Sequence, residues 1–344
     1  MYTPMKAFVF ILSIVQIVSI PTFSSEWIGG FGESTSGCIG VEKYSWQGCG
    51  IGYNMNSMLN AWLYSMVVGN HEDFSVIIGE GMFDYLECSE ESNGLANRGW
   101  ECLFGEIPHL CMFGSSENWT DHLVSENVSE EVILKSESIK INAIKRSHAL
   151  IQENLGDIDH ITALSVLADY VWSHMTPWLK NDAKLVAGDN ELFNGGSPYL
   201  GLHIRRGDKV STGEAESTPV DVYMQTASAY LDENTIDVEG IWVASDEVGI
   251  LEEVRDLSEI YFPHISRENI VYNSGKKEVI TRSKWQGYSS FVTLVSDMNK
   301  LANSEVFVGS FSSNLGRLVT VFREGKGKPR DSSMSVDVKT WFSG

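Results

Sequence analysis

The sequence predicts an α/β chain whose carboxyl half is a doubly wound parallel sheet. Two observations lead there. Short apolar runs alternate regularly with helical stretches from residue 197 onward, the order expected of a parallel sheet covered by helices on both faces. Polar clusters then follow three of those runs, and the carboxyl ends of the strands are where open α/β sheets hold their ligands.

The elements follow in order. Residues 26–49 are rich in Gly and Ser and read as an irregular entry loop. Gly48-Cys-Gly-Ile-Gly52 precedes a helical run at 53–68, in which Met55, Met58, Leu59, Trp62, Leu63 and Met66 recur at helical spacing. A strand at 74–79 completes what resembles one unit of an open sheet. Helices are expected at 139–154 and 161–180, the second carrying Leu164, Leu167, Tyr170, Val171 and Trp172 before a break near Pro177. Asp157 and Asp159 have the spacing of a metal-binding pair but sit in a connector, so they read as surface residues. The turn-rich stretch 187–197 is the preferred domain boundary. Beyond it come a strand ending at Ile204, a helix at 220–231, a strand at 240–244 and a helix at 248–257. A short segment at 270–272, a helix at 291–302, a strand at 305–309 and a helix at 314–322 finish the pattern.

A chain of 344 residues exceeds the usual size of a single core, so two domains are expected. Residues 25–190 form an amino-terminal α/β domain with a helical connector, 197–325 a Rossmann-like domain, and 326–344 a tail. Residues 1–24 read as a signal peptide or short signal-anchor. The uncharged stretch 7–20 suits a signal core or an anchor in a thin membrane and falls short of the roughly 20 residues that span a typical bilayer. The sequons at Asn118 and Asn127 agree with a secretory, lumenal location. All five cysteines lie in the first third, which in an oxidising compartment suggests two disulfides and one leftover thiol. Their spacing gives no support to a zinc site. The formal charge of -21 makes a nucleic-acid partner improbable.

Against that acidity, Gly201-Leu-His-Ile-Arg-Arg-Gly-Asp-Lys-Val210 is conspicuous. Arg offers a planar fork of donors that matches phosphate oxygens, and Lys adds a mobile point charge. Arg205, Arg206 and Lys209 together have the charge to neutralise a diphosphate. A solvated basic face and an adhesive Arg-Gly-Asp tripeptide are the plainer readings of the same residues. The second cluster is Ser245-Asp246-Glu247. In the third, Ser312, Ser313 and Asn314 open a helix, where free backbone N–H groups favour an anion, although Ser and Asn also serve as ordinary caps. Glu214 lies beside the basic cluster, placed to act as a general base on an incoming hydroxyl, with Glu216 as its rival. Asp246 and Asp297 are candidates for accepting hydrogen bonds from a base or ribose.

His203-Ile-Arg-Arg-Gly-Asp-Lys209 resembles the signature of the α1,6-fucosyltransferases and their chitooligosaccharide-fucosylating relatives. The block from Asp297 through Gly309-Ser-Phe-Ser-Ser-Asn-Leu-Gly-Arg317 is similar to theirs as well, and so are Gly48-Cys-Gly, Gly99-Trp-Glu101 and Pro177-Trp-Leu179. The sequence departs from that pattern at Ile51 and Tyr53, and Gly213 stands as an extra residue before Glu214. The resemblance implies a GT-B-like glycosyltransferase that moves L-fucose from GDP-fucose to a glycan or glycoprotein acceptor, with inversion. GDP-fucose is the donor substrate, and no cofactor or metal is implied. By matching positions, Arg205 and Ser313 would hold the β-phosphate, with Arg206, Asp208, Lys209, Ser312 and Asn314 around the donor. His203 and Asp297 would contact the nucleoside, Asp246 would belong to a second donor motif, and Glu214 would be the base. The alternatives are a fucosyltransferase of another acceptor or linkage, such as a protein O-fucosyltransferase, and an inactive GDP-sugar or glycan binder. Cysteine pairing is expected as Cys38 with Cys111 and Cys88 with Cys102, leaving Cys49 unpaired, and the location as the secretory pathway, in the Golgi lumen, with secretion as the alternative.

Overall fold

The computed structural model describes residues 41–44, 52, 55, 56, 59, 60, 63, 75–78, 104, 110–112, 159–187, 191–194, 196–206, 217–247, 249–272 and 288–338. In the first third, β1 (Val41–Tyr44), β2 (Ser75–Ile78) and β3 (Leu110–Met112) form a parallel sheet in the order β1-β2-β3. β2 lies where a strand was expected. β1 falls in the stretch read as irregular, because a Gly- and Ser-rich composition conceals a four-residue strand whose ladder partner is 34 residues away, Val41 facing Ser75. The helical spacing read near residue 55 holds where the chain is described, with Met55, Leu59 and Leu63 helical and buried. The signal segment 1–24, the sequons, the helix at 139–154, and Cys38, Cys49, Cys88 and Cys102 lie outside the described residues.

The stretch 161–180, expected to break near Pro177, is two helices: α1 (His160–Ser173) and α2 (Pro177–Ala187). Proline lacks an N–H and its ring fixes φ, so Pro177 suits the first position of a new helix and pushes Thr176 out of helical geometry. Asp159, read as a surface carboxylate, caps α1 by accepting from the N–H of Ile161 at 3.0 Å and of Thr162 at 3.2 Å. It also pairs with Arg330 at 2.9 Å. A short α3 (Glu191–Asn194) occupies the stretch read as the domain boundary.

The carboxyl half is built on β4 (Tyr199–Ile204), β5 (Gly240–Ser245), β6 (Ile270–Tyr272), β7 (Val306–Gly309) and β8 (Ser333–Ser335). The sheet runs β6-β5-β4-β7-β8 with every pair parallel. Interleaved are α4 (Val220–Asn234), α5 (Ile250–Tyr261), α6 (Tyr288–Asn303) and α7 (Asn314–Gly325). β8 corrects the expectation of a tail after residue 325: Ser333–Ser335 joins the sheet beside β7. Ser333-Met-Ser335 is too short to display the periodicity by which a strand is recognised.

Alternation along the strands separates two cores. Leu200, Leu202, Ile204, Ile241, Val243, Val306 and Val308 meet α4 and α5 on one face. Trp242, Ala244 and Phe307 belong to the core on the other face, where α1 packs on α7 and α2 on α6, so α1 and α2, grouped by sequence with the amino-terminal unit, join the carboxyl-half core. Gly201 lies between Trp242 and Phe307 in one cross-strand row. A Cβ there would stand 2.7 Å from Ser304 Oγ and 3.0 Å from its Cβ, so glycine lets the end of α6 sit directly on β4.

A candidate active site at the strand switch point

Because all five strands are parallel, their carboxyl ends share one edge. The chain leaves β4 for α4 and β5 on one side, and reaches β7 through α6 on the other, so the order reverses between β4 and β7. That reversal opens the crevice in which doubly wound sheets bind ligands. The three polar clusters read from the sequence meet at this edge: Arg205 and Arg206 after β4, Asp246 and Glu247 after β5, and residues 310–313 after β7. Asp208, Lys209, Glu214 and Glu216 lie outside the described residues.

The two arginines part company. Arg205 pairs through Nη1 with Asp246 Oδ2 at 2.6 Å, and the Arg206 N–H donates to Asp246 Oδ1 at 3.0 Å, so one carboxylate ties down the turn after β4. The Arg206 side chain turns toward the helices. Its Nη1 and Nη2 donate to the two oxygens of Glu253 at 2.9 and 3.2 Å, and its Nε to the Thr218 carbonyl at 3.2 Å. A two-pronged guanidinium–carboxylate fork fixes direction as well as distance. Arg206 thereby joins the first turn of α5 to the chain entering α4.

His203 and Asp297 occupy the face of the sheet opposite α4. His203 precedes the last residue of β4 and is buried. Asp297, on α6, is 1% exposed and accepts from Trp242 Nε1 at 3.3 Å. A carboxylate so deeply buried requires donors around it, and β5 supplies one through Trp242, a residue the sequence reading took only as strand.

The loop after β7 is held from several directions. Ser310 is buried and its hydroxyl shares a 2.8 Å hydrogen bond with that of Tyr223 on α4, whose phenol burial pushes above the usual tyrosine range. Ser313 is the N-cap residue of α7 in extended conformation, yet its side chain makes no capping hydrogen bond. The cap reading of that serine is therefore not realised. Ser312 donates its hydroxyl to Asp337, beyond β8. Asn314 opens α7, and its carbonyl accepts from Asn56 Nδ2 at 2.7 Å. A Cβ on Gly52 would come within 2.9 Å of the Leu315 nitrogen, so glycine permits this approach of the amino-terminal segment to α7.

In the first turn of α7, Gly316 packs on the same loop. A Cβ at Gly316 would stand 2.3 Å from the Ser310 carbonyl oxygen. Gly316→Ala is expected to lower stability by about 2 kcal/mol through overpacking against backbone, read as a shift in the denaturation midpoint.

The sequence pattern defining the alpha-(1,6)-fucosyltransferase N- and catalytic domains matches residues 95–322, more than half of the 344-residue chain. The chain belongs to the alpha-(1,6)-fucosyltransferase family. The family match encloses β4 through most of α7 and therefore Arg205, Asp246, Asp297 and Ser313, while β8 and Asp337 follow it. Among solved structures, POFUT1 in complex with GDP-fucose is similar at 12% identity and a TM-score of 0.35, over 51% of this chain and 49% of that one. The chain thus spans about half the length of that relative. A variant of Arabidopsis thaliana FUT1 in complex with GDP is 13% identical over 91% of this chain and 76% of its own, with a TM-score of 0.47. The fucosyltransferase NodZ from Bradyrhizobium is 12% identical over 81% and 91%, with a TM-score of 0.41.

Nothing in the sequence announced Tyr223, Trp242 or Asp337 as neighbours of the candidate site. Tyr223 and Trp242 fall within stretches read simply as a helix and a strand. Asp337 lay in the segment taken for a tail.

Proposed function

We propose that the chain transfers L-fucose from GDP-fucose to a glycan hydroxyl, the 6-hydroxyl of a GlcNAc residue, with inversion and without a metal. The observation that carries this reading is the convergence of Arg205 and the α7 amino terminus, with Ser313 unused as a cap, on the two sides of the β4/β7 switch point in a chain of this family. An anion placed there meets a guanidinium fork from one strand end and free N–H groups from the other. Those groups fit the β-phosphate of a departing GDP, whose negative charge grows as the bond to the sugar breaks.

In the proposed reaction the acceptor oxygen attacks the anomeric carbon of fucose as the carbon–phosphate-oxygen bond breaks. The acceptor's proton passes to Glu214, the electron pair leaves with GDP, and the single displacement inverts the centre. Lys209 and Asp208 support the donor, Arg206 braces the turn after β4 through Glu253, and Asp246 orients Arg205 from one side. His203 and Asp297 receive the nucleoside. In this proposal the five-stranded unit is the donor half of a GT-B pair of Rossmann-like domains, 197–325 with β8 added, facing an amino-terminal domain within 25–190. The protein works in the lumen of the secretory pathway, in the Golgi, on a glycan or glycoprotein.

The purified chain is expected to consume GDP-fucose and attach fucose to a GlcNAc-containing oligosaccharide, with linkage read by mass spectrometry and NMR. Transfer to a serine or threonine hydroxyl would assign it to protein O-fucosylation instead. Binding of GDP without any turnover would make it a GDP-sugar binder.

A further inference from the structure

We infer that Asp337 is a positioning residue for the donor site: it locks the loop after β7 so that Ser312 faces away and Ser313, with the first N–H groups of α7, faces the phosphate. This deepens the donor reading above and rests on it.

The geometry begins with one carboxylate and five donors. Asp337 Oδ1 accepts from the Phe311 N–H at 2.9 Å and from the Ser312 N–H at 3.4 Å. Its Oδ2 accepts from the Ser312 hydroxyl. The Ser335 hydroxyl at 2.8 Å and the Val338 N–H at 2.6 Å also reach Oδ1 and fix the carboxylate on its own segment. Ser335 itself lies in β8 and accepts from the Phe311 N–H at 3.1 Å. The β7–α7 loop is therefore bound by side-chain acceptors of the β8 strand end, in addition to the backbone ladder between β7 and β8.

The consequence is directional. Residues 310–313 form a turn closed by the Ser313 N–H on the Ser310 carbonyl at 3.2 Å, and Ser313 leaves it in extended conformation, with φ -87° and ψ 127°. Ser312 is committed to Asp337, while Ser313, next to it at the head of α7, is 5% exposed and makes no capping hydrogen bond. Ser310 is held separately by Tyr223, so the loop is gripped at both ends and Ser313 is left to present its hydroxyl. An arrangement preset in this way spends less binding energy on ordering the loop when the diphosphate arrives. Asp337 lies 15 residues past the end of the family match, so this control comes from outside the matched segment.

The test compares wild type with Asp337→Ala, Asp337→Asn and Ser312→Ala in GDP-fucose kinetics and GDP calorimetry. Asp337→Ala is expected to raise the KM for GDP-fucose about tenfold, the effect of losing hydrogen bonds to a charged acceptor, with kcat within about twofold. Asp337→Asn keeps one carbonyl acceptor and is expected to recover most of that loss. Ser312→Ala is expected to reproduce a part of it, about threefold, and both milder variants carry the test if the alanine variant does not fold. A KM unchanged in all three variants overturns the inference, and so does a fall in kcat at constant KM, which marks a purely structural role. A wild-type chain that neither binds GDP nor uses GDP-fucose overturns the donor reading and this inference with it.

Discussion

Arg205→Ala is expected to lower kcat/KM for GDP-fucose by about a hundredfold or more, with the fold intact. The size follows from the proposed chemistry, since a donor aimed at the developing charge of a leaving group is worth about 3 kcal/mol in a water-poor site. The geometry explains why the damage stays local. Arg205 is the first residue beyond β4 and its side chain is 21% exposed, so truncation opens no core cavity. Asp246 keeps the Arg206 N–H as a donor when Arg205 is removed. Arg205→Lys is expected to restore charge but not the fork, leaving activity well below wild type. The neighbouring residue supplies the contrast. Arg206 spends its guanidinium on Glu253 and Thr218, so Arg206→Ala is expected to act first on stability, by detaching α5 from the turn after β4. Steady-state kinetics beside thermal melting separates the two arginines. A full-activity Arg205→Ala enzyme would sink the phosphate assignment.

That division between adjacent arginines marks the limit of what the sequence discloses. The alternation from β4 to α7 was legible because each element there is either a buried strand or a helix with a periodic apolar face, and both patterns are local. The meeting of the three polar clusters followed from topology alone: parallel strands place Arg205, Asp246 and Ser313 at one edge whatever their side chains do. What each side chain then does depends on partners distant in sequence. Arg206 finds Glu253 47 positions away, Ser310 finds Tyr223 87 away, and Ser312 finds Asp337 25 away. No spacing rule reaches that far. The short strands β1, β3 and β8 escaped for a related reason, since three or four residues carry little periodicity and owe their extension to a ladder built by remote neighbours. Ser312 and Ser313 are likewise adjacent in sequence, and what separates them is a partner 25 positions away, the Asp337 carboxylate that takes the Ser312 hydroxyl.

Arg323→Met is expected to be the most destabilising single change among these, by about 4 kcal/mol in chemical denaturation, with little effect on the KM of the fraction that folds. Arg323 is fully buried on α7, at the end of the sheet opposite the candidate site. Its guanidinium donates to the carbonyls of Ser304, Leu301, Glu305 and Ser332, and to the hydroxyls of Ser304, Ser332 and Ser333. One side chain thereby ties together the end of α6, the start of β7 and the start of β8. Burial pulls its pKa down to about 10, which still leaves it charged at neutral pH. Methionine fills much of the volume but supplies no donor, so several buried carbonyls lose a partner at once, each at roughly 1–3 kcal/mol. Part of that loss is offset because Ser304 and Ser332 retain bonds to Leu301 and Pro329. The penalty is expected to be constant across the neutral range, since the folded-state pKa lies below the ordinary arginine value and the charge, with its burial cost, is lost only above about pH 10. Arg323 secures the first residues of β8 and Asp337 stands just beyond the last, so the strand is pinned at both ends for different purposes. If the methionine variant instead kept its stability but raised the KM for GDP-fucose as Asp337→Ala does, anchoring of β8 and positioning of the phosphate loop would be one function rather than two.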